Sequence, residues 1–351
     1  MTVARELLLC DPHLSITLFD CRPRLPHPQR TFCFFQRGSR EYFDGPTFAW
    51  KHVAFRGAMF ERSVDVSASP YTMVRGQDLF DNLLSDLESR GVAFFWGSRE
   101  IVLDGNTVRR DGEPHTFDAV IDAAFDAREA KSILWQSFAG VWITSEQELF
   151  NPTTAVLMDL QESSSAAPVS FMYILPTSTH TALVEHTTFS PTPMPQEYHL
   201  ERCRAWISER ALGPCTEGET EYGQIPMGYQ RRVPAAGSLC IGTTTGTVRP
   251  ATGYAFVTSQ DQARQVAREI LYQTSPAPPR HPWWLTAADT LFLRALRQRP
   301  EVGERLMARL LARTQAQALI SFLSDDVSFR DAVRVWMSVP KLSMLRSLVR
   351  L

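Results

Sequence analysis

Apolar residues recur at helical spacing in some stretches of the chain and alternate or run together in others. Val3 to Leu9 reads as a helix ended near Asp11-Pro12. Gln77 to Arg90 is an amphipathic helix with Leu79, Phe80, Leu83, Leu84 and Leu87 on one side, stopped by Gly91. Ser259 to Leu271 predicts a third helix. Beyond it, Leu291, Phe292 and Leu296, then Leu306, Leu310 and Leu311, return at steps of three and four. Val333, Trp336 and Met337 continue this pattern, Pro340 breaks it, and Leu342, Leu345 and Leu348 resume it. Strands are predicted at Leu14 to Phe19, Val92 to Trp96, Ile101 to Leu103, Val108, Phe117 to Ala123, Ala155 to Leu160, Val169 to Leu175 and Leu239 to Ile241. Pro191 to Pro195 marks a surface loop, and the four prolines of Ser275 to Pro282 mark a linker.

The first part of this order is helix, parallel strand, small meander and central strand, which suits an α/β nucleotide-binding domain. Asp20 ends the first strand, where such a domain places the acid that accepts ribose hydroxyls; an aspartate there also serves as an ordinary turn residue. The glycine-rich turn that should precede Val3 is missing from the sequence. Arg75, just before the second helix, suits either a pyrophosphate or solvent. Gly237 to Phe256 forms strand, glycine-rich turn and helix start. Gly242, Gly246 and Gly253 there leave room for an anion or a planar ring to approach the backbone.

The chain has 351 residues, 44% hydrophobic and 21% charged, enough for a large core without staples. Its net charge of −2 argues against a nucleic-acid protein with a basic surface. The charge is uneven, however. From Leu285 onward eleven basic residues face six acidic ones, which suits either an anionic membrane surface or the solvated face of a packed helical region. The six cysteines include no CxxC pair, so no metal site is expected and a reducing compartment is. No run is long and apolar enough to span a membrane, and the start does not resemble a secretory signal.

Several strings, in order along the chain, resemble the lycopene β-cyclases of carotenoid biosynthesis, the bacterial type related to the plant enzymes. They are Thr31–Phe35, Tyr71–Gly76, Gln136–Gly140, Phe150–Ala155 with Met158-Asp159, Phe171–Pro176, Leu183–Thr187, Tyr222–Gly228 and Gly242–Phe256. The sequence departs from that pattern in lacking the first GxGxxG turn, in Val141 before Trp142, and in the threonines 243 to 245. The resemblance implies a Rossmann-like FAD-binding domain of the aromatic-hydroxylase type. It would comprise residues 1–36, 71–130 and 230–274, interleaved with a β-sheet substrate domain at 37–70 and 131–229 and followed by a helical region at 283–351. It also implies reduced FAD, NAD(P)H as reductant, and closure of the linear ends of lycopene into β-ionone rings without net redox change. The expected location is the cytoplasmic face of a membrane, as a peripheral protein.

A hydrocarbon substrate calls for a long apolar cleft, to which Phe138, Trp142 and Tyr173 are candidate contributors; each taken singly reads more readily as plain core. Cyclisation starts by protonating a C=C bond, so the site needs an acid that stays protonated and electron-rich walls for the cation. Glu185, after the apolar Ala182-Leu183-Val184, matches the catalytic glutamate of the family string; otherwise it reads as an exposed strand-end residue. His186 either tunes Glu185 or faces the other way, and Glu221 is a second candidate carboxyl. Asp20, Arg75, Gly242, Gly246 and Gly253 are the candidate cofactor contacts. A hydroxylase or prenyl reductase of the same fold, and a flavin-free carotenoid-binding homologue, are the alternatives.

Overall fold

The computed structural model describes residues 1–25, 29–38, 43–127, 130–161, 168–211, 213–228, 238–272 and 281–338. Most of the expected proline linker and the leucines beyond Pro340 lie outside the described residues.

In chain order, α1 (Thr2–Cys10) and β1 (Thr17–Phe19) lead into β2 (Thr31–Phe35), β3 (Phe48–Trp50), β4 (His52–Gly57) and β5 (Phe60–Asp65). Next come β6 (Tyr71–Arg75), α2 (Gly76–Ser89), β7 (Ala93–Phe95), the meander β8 (Ile101–Asp104), β9 (Thr107–Arg110) and β10 (Glu113–Thr116), and β11 (Val120–Asp122). The long strands β12 (Leu134–Ser145), β13 (Thr154–Gln161), β14 (Val169–Pro176) and β15 (Thr181–Ser190) precede α3 (Gln196–Arg210) and β16 (Cys215–Met227). The chain closes with β17 (Ser238–Cys240), α4 (Phe256–Leu271), α5 (Trp283–Gln298), α6 (Pro300–Arg313), α7 (Ala316–Leu323) and α8 (Phe329–Ser338).

Strand β1 pairs in parallel with β7, and β11 with β17. Helix α1 packs over both pairs. Val3 and Leu7 meet Ile121, Ile241 and α4, while Ala4 and Leu8 meet Leu18, Phe94 and Leu87. Both β1 and β11 are shorter than the apolar runs that predict them. Leu14 and Ile16 pack under α1 outside the strand, although the Ile16 carbonyl still accepts from Ala93 N–H at 3.0 Å.

The largest sheet has seven strands in the order β16-β12-β15-β14-β13-β4-β5, antiparallel except where β13 meets β4. One face is covered by α3 through Cys203, Trp206 and Ile207. The other lies under β2, β3 and β6 and under the C-terminal helices, with Phe35, Trp50, Met73, Leu293, Leu296, Leu311 and Leu319 in the shared core. Cover on both sides explains why β15 is buried at every position but its first and shows no alternation of apolar and polar residues. Residues 37–70 contribute to two sheets, since β3 joins β6 while β4 and β5 form the far edge of the large one.

Candidate active site

Strand β12 lies between β15 and β16, and the register sets Gly140 opposite Glu185 on one side and Glu221 on the other. Residues paired across strands project from the same face. With no side chain at position 140, the two carboxyls meet above it. A Cβ there would lie 3.3 Å from Glu185 Cβ, 3.4 Å from Glu221 Cγ and 2.9 Å from Leu183 Cδ1. Glu185 is 7% exposed and Glu221 5%.

Thr187 Oγ1 donates to Glu185 Oε1 at 2.9 Å, and Thr31 Oγ1 donates to Glu221 Oε2 at 2.7 Å. The two carboxyls are neighbours over Gly140 and interact electrostatically. Burial, and then the charge of Glu221, holds the Glu185 carboxyl well above the usual range. Burial raises Glu221 too, but Thr31, Glu185 and the guanidinium groups of Arg30 and Arg75 oppose it. Both carboxyls are thus held above the ordinary range, Glu185 the more strongly, so of the two Glu185 is the better placed to keep a proton and Glu221 to lose it.

Tyr173 stands opposite Glu185 on β14, with its hydroxyl 2.7 Å from that of Tyr71. Phe138 is two residues along β12 from Gly140, lying across Gly223, where a Cβ would run into its ring. Trp142 is two residues the other way, with the Arg75 guanidinium 5.1 Å above its ring and Arg75 itself paired with Glu219. The fold thus brings Phe138, Trp142, Tyr173, Glu185 and Glu221 to one face of one sheet. His186 faces the opposite side, where its Nδ1 is 2.9 Å from His199 Nδ1 on α3 and takes no part in tuning Glu185.

On the Glu185 face, an apolar cavity of about 60 Å³ lies between the sheet, the glycine loop and the C-terminal helices. Gln136, Phe171, Phe189, Ala251, Thr252 and Phe322 are among the residues lining it. Phe189 is four residues along β15 from Glu185, so cavity and carboxyl pair are ~13 Å apart along the sheet.

Gly242, Gly246 and Gly253 all have left-handed backbones, with φ of +74°, +81° and +67°. A side chain at 242 would meet open space, whereas one at 253 would strike Gln136 Oε1 at 2.5 Å. That oxygen is buried without a hydrogen-bond partner. Gly242 N–H donates to Gln262 Oε1 and Gln262 Nε2 donates to Thr245 Oγ1, which ties the loop to α4. The loop's Arg249, fully buried, pairs with Asp289 at 3.2 Å and Asp325 at 3.7 Å, and donates to the Phe322 carbonyl. Asp20 sits at the end of β1, gripped by Arg22 through its side chain and its backbone N–H. Burial favours protonation of Asp20, but the hydrogen bonds from Arg22 outweigh it and keep the carboxyl below its ordinary value.

A loop of left-handed glycines beside an apolar cavity, with an unsatisfied acceptor at its edge, fits a planar ring that brings its own N–H donor. Asp20, at the end of β1 and held by the 64% exposed Arg22, is a carboxylate acceptor of the kind that would take ribose hydroxyls. Gln136, Tyr71, Thr31 and the Arg249 cluster are absent from the sequence reading as separate site residues. Thr31 and Glu221 are 190 residues apart, and no local pattern joins them.

The lycopene cyclase protein family matches residues 1–349. The capsanthin/capsorubin synthase of Citrus sinensis, a chromoplastic protein, is 25% identical over 223 residues. That match covers 57% of this chain and 44% of the relative, so it spans less than half of the relative's length. Among solved structures, a flavoprotein/dehydrogenase from Cytophaga hutchinsonii is similar with a TM-score of 0.56 at 13% identity, covering 99% of this chain and 96% of that one. The flavin-dependent brominase Bmp2 is similar with 0.55 at 14%, covering 96% of each chain. A geranylgeranyl bacteriochlorophyll reductase-like protein from Thermoplasma acidophilum is similar with 0.53 at 13%, covering 99% and 92%. At such identities the structural likeness establishes the fold, which is the α/β fold of these flavin enzymes. With a family match along almost its whole length and the carboxyl pair on the sheet that carries the family strings, the chain belongs to the lycopene cyclase family.

Proposed function

We propose that this protein is a lycopene β-cyclase that closes the linear ends of a carotenoid into β-ionone rings, an isomerisation without net redox change. The observation that carries the reading is Glu185, buried and protonated beside Glu221, on the same face as an apolar cavity. Glu185 is the proton donor to the terminal double bond. Tyr173, Phe138 and Trp142 supply electron-rich faces for the tertiary cation, and the closed, dry surroundings strengthen each of these interactions.

Gly242, Gly246 and Gly253, with Gln136 and Asp20, are the residues that would hold FAD. Reduced FAD, when bound, supplies negative charge that stabilises positive charge on the substrate, with NAD(P)H as its reductant. Arg75, the other expected cofactor contact, lies beside Trp142 and Glu219 and serves in this reading as positive charge near Glu221.

The substrate lives in lipid, which supports a peripheral place at the cytoplasmic face of a membrane. Among the described residues no helix is long and apolar enough to cross one. Helix α8 exposes Phe329, Val333, Trp336 and Met337 beside Arg330 and Arg334. This pattern suits an anionic lipid surface.

Production of the full chain in lycopene-accumulating cells tests the reading. It predicts monocyclic and bicyclic pigments of unchanged mass. Cells that stay red overturn it. Gain of oxygen or hydrogen points to a hydroxylase or prenyl reductase, and purified protein with carotenoid but no flavin absorbance points to a binding protein.

A further inference from the structure

We infer that Glu221 is a second catalytic residue, which takes the proton lost from ring carbon C6 and thereby sets the position of the product's double bond. The inference rests on the cyclase reading and concerns the step that reading leaves without a base. Ring closure takes up one proton and releases one. Among the described residues, the seven-stranded sheet buries two carboxyls, Glu185 and Glu221, and both stand over Gly140. Glu221 is suited to being the ionised partner: Thr31 donates to it at 2.7 Å, and Arg30 and Arg75 lie close enough to favour its charge.

The step balances within the pair. The Glu185 O–H bond breaks and a C2–H bond forms from the C1=C2 electron pair, leaving positive charge at C1. The C5=C6 pair then closes the C1–C6 bond and moves the charge to C5. The electrons of the C6–H bond become the new C5=C6 double bond, and the proton passes to Glu221. Glu185 is now ionised and Glu221 protonated, so one proton transfer between the two neighbouring carboxyls restores the starting state. No electrons enter or leave.

The position of the base matters because the cation at C5 has other acidic neighbours. Loss of a proton from C4 gives a 4,5 double bond, an ε ring. Loss from the methyl on C5 gives an exocyclic methylene. A carboxylate across Gly140 from the donor meets the substrate next to the carbon that has just been attacked, because C2 and C6 are both bonded to C1. Gly140 is what permits this spacing, since any Cβ would stand between the two carboxyls.

The test compares ring types made from lycopene by the flavin-loaded wild type and by Glu221→Gln, with melting temperature and flavin absorbance as folding controls. The wild type makes β rings. In Glu221→Gln we expect turnover to fall roughly tenfold or more, with 4,5 and exocyclic isomers rising from traces to a substantial fraction. β rings alone from Glu221→Gln, at any rate, overturn the inference. A folded but inert Glu221→Gln is decided by Glu221→Asp: restored β-ring formation supports the base, and continued inactivity overturns it. Failure of the wild type to cyclise defeats the underlying cyclase reading instead, so the two failures are distinguished.

Discussion

Glu185 stays protonated in the folded protein at pH values where the unfolded chain ionises it. Its contribution to stability is therefore present below about pH 4.3 and is lost as pH rises toward its elevated folded value. Glu185→Gln keeps the shape and removes this cost. The expected outcome is a melting temperature at pH 8 equal to or above that of the wild type, with cyclisation reduced on the order of 10²–10⁴-fold; calorimetry and pigment assay check the two halves. Gly140→Ala forces a methyl against Leu183, Glu185 and Glu221, which costs about 1–3 kcal/mol and parts the carboxyls. Activity should fall further than denaturant stability does. On the opposite face, burial first, then His199 and Arg202, lower His186 to about 3, and burial lowers His199 to about 4. Below about pH 6.5 the unfolded chain binds protons that these imidazoles refuse, so stability must fall as pH falls. The slope is about 1.4 kcal/mol per pH unit for each histidine down to its folded value. The double variant His186→Gln/His199→Gln should unfold in urea with a shallower dependence on pH between 4 and 6.

At the level of the elements, the Arg249 cluster joins three parts of the chain. The glycine loop supplies Arg249, α5 supplies Asp289, and the segment after α7 supplies Asp325, which also meets His281. The guanidinium lies 4.2 Å from the Phe322 ring at the end of α7. The cavity therefore has the glycine loop as one wall and the C-terminal helices as another, held together by one buried cation. Removing that cation strands two buried carboxylates. Arg249→Met is expected to cost about 3–5 kcal/mol and to speed hydrogen exchange in α5 and α7 more than in β12 and β15. Equal acceleration everywhere counts against a local clasp.

For the whole molecule, the body is a large sheet covered on both faces, joined to two parallel strand pairs bridged by α1. Its C-terminal end carries apolar side chains outward: Trp283 is 82% exposed and Phe329 66%. Exposed aromatics beside arginines bind a bilayer by burying apolar area and by attracting anionic headgroups. The protein should float with phosphatidylglycerol vesicles and release from them as salt rises. Phe329→Ser/Trp336→Ser should weaken flotation roughly tenfold or more while ring formation from detergent-solubilised lycopene is unchanged. Undiminished flotation of the double variant places the contact elsewhere.

Helical periodicity alone pointed to α1, α2, α4, α5, α6 and α8, because a helix buries a stripe that its own spacing displays. The family string singled out Glu185, and the clustering of glycines marked the loop whose left-handed turns the structure displays. The partnership of Glu185 with Glu221 was decided by tertiary structure. It depends on the register of β15 and β16 against β12, a long-range property that neither strand encodes by itself. The side to which Glu185 and His186 each point was hidden for a related reason: β15 is buried on both faces and carries no alternation to read. Strand β16 opens on the polar run Thr216 to Glu221, where Glu221 is only one of three alternating glutamates with Glu217 and Glu219. Only the chain packed against its inner end takes Glu221, and not Glu217 or Glu219, out of water.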